Sequence, residues 1–191
     1  VTSSIEGWLE NISLMGIATE ARVLEFDYVP ASEDIAAALD LESGMEVQRA
    51  VRVRRLDGTP MSFLVTYVPS DIGRQYDRDD LNTKPLLHLL ERAGVDVASA
   101  RQTISATVAD GEVAAALSVH AGAPLIEVRR VVRDVSDRPV EYIRVLYRPD
   151  VYRFEMSMRR VHGKEGMHWS ALTQTPMQTG DGETVVAAAE Q

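Results

Sequence analysis

A chain of 191 residues with 45% hydrophobic side chains is long enough to bury a substantial core, and 29 acidic against 20 basic residues give it a net charge of −9. That balance excludes a surface built for nucleic-acid phosphates, which takes clustered lysine and arginine, and the absence of cysteine excludes disulfides and thiolate metal sites and fits a cytoplasmic protein. No run reaches the ~18 apolar residues of a membrane helix and the first residues lack the basic-then-apolar order of a signal peptide, so no membrane partner is expected.

The opening stretch SSIEGWLENISLMG sets Ile5, Trp8, Leu9 and Ile12 at helical spacing, with Ser3 or Ser4 as cap and Gly16 as stop. Thr19 to Val29 alternates as a strand that Pro30 ends, and SEDIAAALD reads as a short helix capped by Ser32. Two strands, 45–56 and 60–68, flank DGTP, where Asp-Gly supplies the positive φ angles of a tight hairpin. TKPLLHLLERA, residues 83–93, reads as one helix with Pro85 in its first turn and Gly94 after it.

The pattern then returns. Residues 109–150 lie over 31–71 at an offset of 78 that grows to 79 at the hairpin turn: Ala36 meets Ala114, Gly44 meets Gly122, Arg52 meets Arg130 and Pro60 meets Pro139. A helix, glycine, strand, turn, strand unit therefore occurs twice. Two such units predict an α+β fold, their hairpins joined in one antiparallel sheet with the unit helices on one side. A sheet face or the seam between repeats is then the natural cleft. Residues 161–191 lack sustained periodicity and read as a C-terminal tail, with Trp169 expected to pack on a neighbouring subunit.

Arginine clusters in VRVRRLDGTPMSF, residues 51–63, and strand alternation turns Arg52 and Arg54 to one face, ~7 Å apart. Two guanidiniums at that separation converge on one anion; solvated positions or pairing with carboxylates of neighbouring strands remain open. In PVEYIRVLYRPD, Glu141, Ile143, Val145 and Tyr147 share a face, a carboxylate and a phenol with apolar residues between. The backbone amides near Ser3 and Ser4 are a further place for an anion, or a plain helix cap.

The ordered motifs ASEDIAAALDL, RVRRLDGTP, YVP, GVDV, VAAALSVHAGAPLIEVRR, RPVEY and YRPDVYRFEMSMRR resemble, over about residues 3–160, the UTRA domain, the effector-binding half of HutC-subfamily, GntR-type transcription regulators, and set the expected domain at 1–160. The resemblance implies a chorismate-lyase-like fold, a homodimer, and a small anionic metabolite, sugar phosphate or carboxylate, as effector. It also implies operator DNA reached only through a winged helix-turn-helix domain that this chain lacks; the start at Val1 agrees with a domain upstream. Carried over residue by residue, the family's anion contacts fall on Arg52 and Arg54, and its other ligand contacts on Glu141, Tyr147, Ser4 and Ile5. Pro85-Leu86-Leu87 stands where many relatives have Ser-Leu-Tyr, and Ile5 replaces an aromatic residue, which leaves carboxylates open beside sugar phosphates.

His88, His120, His162 and His168 have no ligand spacing, no nucleophile triad is present, and GDG at 180–182 lacks the lysine of a phosphate loop; no metal, cofactor or catalytic residue is expected. The alternative reading is a chorismate-lyase-like enzyme acting on a small dicarboxylate.

Overall fold

The structure, a computed structural model, describes residues 19–152, 158–163 and 166–171. Residues 19–152 form one compact unit. Its strands are β1 (Thr19–Pro30), β2 (Glu46–Leu56), β3 (Thr59–Pro69), β4 (Val97–Val108), β5 (Pro124–Asp134) and β6 (Pro139–Tyr147). They make a single antiparallel sheet in the order β1-β2-β3-β6-β5-β4. The helices are α1 (Glu33–Ala38), α2 (Ser70–Gly73), α3 (Arg78–Thr83), α4 (Leu86–Arg92) and α5 (Gly111–Leu117).

The duplication read from sequence is present in the hydrogen bonds. Gly44 N donates to Ala31 O as Gly122 N donates to Ala109 O, and Leu41 N to Ala36 O as Val119 N to Ala114 O. Gly44 and Gly122 share a φ of +82°. The pairing of Arg52 with Leu64 becomes that of Arg130 with Ile143, so the register carries the offsets of 78 and 79 into three dimensions. It also extends the repeat upstream, since Phe26 opposite Ala50 corresponds to Ile104 opposite Val128, making β1 and β4 counterparts. A pseudo-two-fold axis therefore passes between β3 and β6. Each hairpin is closed by an aspartate at positive φ, Asp57 (+48°, followed by Gly58 at +76°) and Asp137 (+64°), as a tight turn between right-twisted strands requires.

The unit helices share one face, as expected. Ala36 of α1 and Leu39 at its C-terminal cap pack with Val47, Tyr67 and Tyr142; Val113, Ala114 and Leu117 of α5 pack with Val51, Val53, Phe63 and Leu146. The other face is covered at one end by α2, α3 and α4, whose Ile72, Leu81, Leu86, Leu89 and Leu90 bury Val23, Ala50, Val68 and Val132. Each buried leucine contributes roughly 1.5–3 kcal/mol. The helix expected over 83–93 is present as Leu86–Arg92, and a separate helix, α3, precedes it. Lys84 precedes a proline and is held extended (φ −129°, ψ 145°), so α3 ends at Thr83 and Pro85 caps α4 instead of lying within its first turn.

Helix α2 touches the sheet with almost no space between them. A Cβ on Gly73 would lie 2.5 Å from the Gln48 Cβ, and the Tyr28 hydroxyl donates to Gly73 O at 2.9 Å. Gly73→Ala is therefore expected to destabilise the domain by about 1–3 kcal/mol, read as a fall in melting temperature; an unchanged Tm would show that α2 shifts freely.

The two sheet edges differ. On β1 the chain bulges at Leu24, the Val23 N–H donates to Asn82 Oδ1 at 2.9 Å, and the Arg78 guanidinium donates to Val23 O and Leu24 O. That strand also carries Glu20, Arg22, Glu25 and Asp27. Edge β4 has one charge, Arg101, in twelve residues, exposed Ile104 and Val108, and no pairing to its outer side among the described residues.

The remaining described residues form a two-stranded antiparallel hairpin, β7 (Met158–Gly163) and β8 (Gly166–Ala171), where composition alone suggests an irregular tail. Trp169 on β8 is 66% exposed. The helix expected over 3–16 and the GDG turn lie outside the described residues.

Candidate functional site

Directly paired residues of an antiparallel sheet share a face, so the register identifies which side chains lie together. On the face opposite α1 and α5, one row runs Arg54, Ser62, Tyr147, Ile126 and the next runs Arg52, Leu64, Val145, Val128. A third runs Ala50, Thr66, Ile143, Arg130, Gln102, and Glu141 opposite Val132 belongs to a fourth. Arg52, Arg54, Glu141 and Tyr147, taken from two hairpins ~80 residues apart in the chain, thus stand on one surface. Ser4 and Ile5 lie outside the described residues.

Burial turns this surface into a polarised site. Arg52, Glu141 and Tyr147 are only 3%, 7% and 3% exposed. Burial depresses the Arg52 guanidinium to about 10, with Glu141 opposing and Arg54 adding to the shift, so it remains a cation at neutral pH. Arg54 is also lowered by burial, against the pull of Tyr147. Burial raises the Glu141 carboxyl, opposed by Arg130 and then Arg52, and it raises the Tyr147 phenol, with Tyr152 adding and Arg130 and Arg54 opposing. The Tyr152 ring stacks on Tyr147 at 4.0 Å between centroids.

Arginines on the opposite face are satisfied in the ordinary way. Arg129 and Arg144 both bind Glu127, at 3.1 and 2.6 Å. Arg52 forms no ion pair among the described residues, and its Nε has no hydrogen-bond partner. Gln48 Nε2, Ser62 Oγ and Thr66 Oγ1 are the other buried side-chain polar atoms without a partner among the described residues. All four belong to this one face, on the adjoining strands β2 and β3. An orphaned buried group costs roughly 1–3 kcal/mol, so these four atoms gather an uncompensated cost on one face.

Arg130, Ser62 and Tyr76 are among the residues at this face that escaped sequence reasoning, as are Thr66 and Gln102. Arg130 is 8% exposed and held by Gln102 Oε1, which accepts from its Nε at 2.9 Å and from its NH2 at 2.8 Å. The repeat already aligned it with Arg52, which was the available signal. Ser62 is the repeat counterpart of Glu141, a weaker signal of the same kind. Tyr76 had none: it comes from the segment between α2 and α3, and its hydroxyl donates to Gln48 Oε1 at 3.0 Å. Burial raises its phenol strongly, Glu141 adding and Arg52 opposing.

The Glu141 shift has a measurable sign. Its folded-state pKa lies above the ordinary 4.5, so the folded protein keeps a proton that the unfolded chain releases. The stability this group contributes is full below about pH 4.5 and is lost as pH rises through the folded-state value. The melting temperature of Glu141→Gln minus that of the wild type is therefore expected to grow from pH 4.5 upward. A difference independent of pH would contradict the burial argument.

Solved structures share this architecture. The ligand-binding domain of a GntR-family transcriptional regulator from Bordetella bronchiseptica matches at 31% identity and a TM-score of 0.69, over 74% of this chain and 89% of that one. A transcriptional regulator from Streptomyces coelicolor matches at 32% identity and a TM-score of 0.68, over 83% and 97%. The fold thus places the chain in the class of regulatory effector-binding domains. The UTRA domain model matches residues 14–153, and the chain belongs to that family. It is 20% identical to the HTH-type transcriptional repressor NagR of Bacillus subtilis, over 82% of this chain and 65% of NagR. The chain spans between half and two thirds of the length of the curated relatives it matches.

Proposed function

We propose that this domain senses a small anionic metabolite for a GntR-type transcription regulator. Arg52 and Arg54 take the anion, Glu141 and Tyr147 contact the rest of the ligand, and a winged helix-turn-helix domain elsewhere in the full protein carries the signal to operator DNA in the cytoplasm. The observation that carries this reading is the coincidence of all four orphaned buried polar atoms of the described residues with the arginine-bearing face. The regulator names of the relatives favour binding over catalysis. A ligand switches such a protein only by preferring one arrangement of its subunits, and the undefended β4 edge supports a homodimer in which two copies extend each other's sheet.

Thermal melting against sugar phosphates and small mono- and dicarboxylates tests the sensor reading. A ligand at 100 times its Kd stabilises by about 2.7 kcal/mol. The expected result is a clear upward shift for one chemical class, lost in Arg52→Ala/Arg54→Ala; turnover of chorismate to 4-hydroxybenzoate would replace this reading with the enzymatic one.

A further inference from the structure

The centre of the site is apolar except at one point. Around the pseudo-two-fold axis stand Leu64 and Thr66 of β3 and Ile143 and Val145 of β6, paired Leu64 with Val145 and Thr66 with Ile143. Arg52 adjoins this quartet beside Leu64, and Arg130 adjoins it beside Ile143. The two arginines are three inter-strand steps and two residues along the strands apart, ~16 Å, and the sheet face between them is aliphatic apart from the Thr66 hydroxyl. Ser62 lies beyond Leu64, between Arg54 and Tyr147 in the register. Both hydroxyls are completely buried and both lack a partner among the described residues.

Resting on the sensor reading above, we infer that Ser62 and Thr66 are specificity-determining contacts, and that the effector is an organic acid with an apolar body carrying one polar substituent, not a polyhydroxylated sugar phosphate. A sugar presents hydroxyls around its whole perimeter, and each one set against Leu64, Ile143 or Val145 would lose its water without gaining a partner. An alkyl or aryl body loses nothing there. Thr66 supplies the one central hydrogen bond, so it discriminates for a substituent placed over it, because a site built to bond a hydroxyl rejects the analogue lacking one. Ser62, beside Arg54, completes the contacts of the acidic group.

The test uses matched pairs, hexanoate with 6-hydroxyhexanoate and benzoate with 4-hydroxybenzoate, alongside glucosamine 6-phosphate, with affinities measured by calorimetry on this chain. The acids are expected to bind and the sugar phosphate not, with the hydroxylated member of at least one pair tighter. Thr66→Val should weaken that hydroxylated member on the order of tenfold and leave its partner unchanged. Ser62→Ala should weaken both members on the order of tenfold. Neither variant should melt below the ligand-free wild type, since each removes an orphaned polar group, and this separates a recognition role from a structural one. Binding of glucosamine 6-phosphate through Arg52 would overturn this inference while leaving the sensor reading intact. Equal loss of both members of a pair in Thr66→Val would also overturn it. Absence of binding by all four acids would overturn this inference and leave the sensor reading to the wider panel of sugar phosphates and dicarboxylates.

Discussion

Arg52→Met is expected to remove effector binding while the ligand-free domain melts at or above the wild-type temperature. A charge-assisted hydrogen bond contributes roughly 1.5–3 kcal/mol, so losing the Arg52 fork weakens an anionic ligand between ten- and a hundredfold or more. Stability moves the other way because the guanidinium is buried at 3% exposure, forms no ion pair among the described residues and leaves its Nε unpartnered. Methionine fills a similar volume without that desolvation cost, and replacing a poorly compensated buried charge by a well-packed apolar side chain is often neutral or stabilising. Glu141 loses one of its two cationic neighbours and keeps Arg130. A variant that bound like the wild type, or one that unfolded, would show that Arg52 serves the fold.

Charging the β4 edge is expected to halve the mass of the proposed dimer. Antiparallel two-fold pairing keeps Ala100, Gln102, Ile104 and Ala106 of both copies on one side and Arg101, Thr103, Ser105 and Thr107 on the other. Nothing in this set except Arg101 opposes close approach. Thr103→Lys/Ser105→Lys brings four like charges to the shared edge, and the double variant should sediment at 21.1 kDa with its melting cooperativity retained. The wild type should sediment at twice that mass. A monomeric wild type, or a variant that still sediments as the dimer, would remove β4 from the interface. The equivalent substitutions on β1, where Arg78 and Asn82 occupy the edge, should leave the mass unchanged.

Much of this architecture is written locally in the chain. Asp57-Gly58 specifies a turn, period-two alternation places Arg52 and Arg54 on one face, and the 78-residue repeat announces two copies of one unit. Those features are legible because each depends on residues a few positions apart or on direct similarity between two stretches. The start of α4 at Leu86 was also local, and Lys84-Pro85 should have indicated it.

What the chain does not spell out is which strands become neighbours. Only the pairing of β3 with β6 sets Thr66 beside Ile143 and Ser62 beside Tyr147, brings Glu141 under the influence of both Arg52 and Arg130, and makes one site of two hairpins. That pairing joins residues about 80 positions apart, and no periodicity within either strand encodes it. Burial is likewise a tertiary property. The same strand pattern describes Arg52, driven to about 10 by desolvation, and Arg129, exposed and paired with Glu127. The sequence by itself determined the repeated unit and the alternating faces; the meeting of the two units decided which arginines lost their water, because desolvation depends on what covers a side chain and not on its place in the strand pattern.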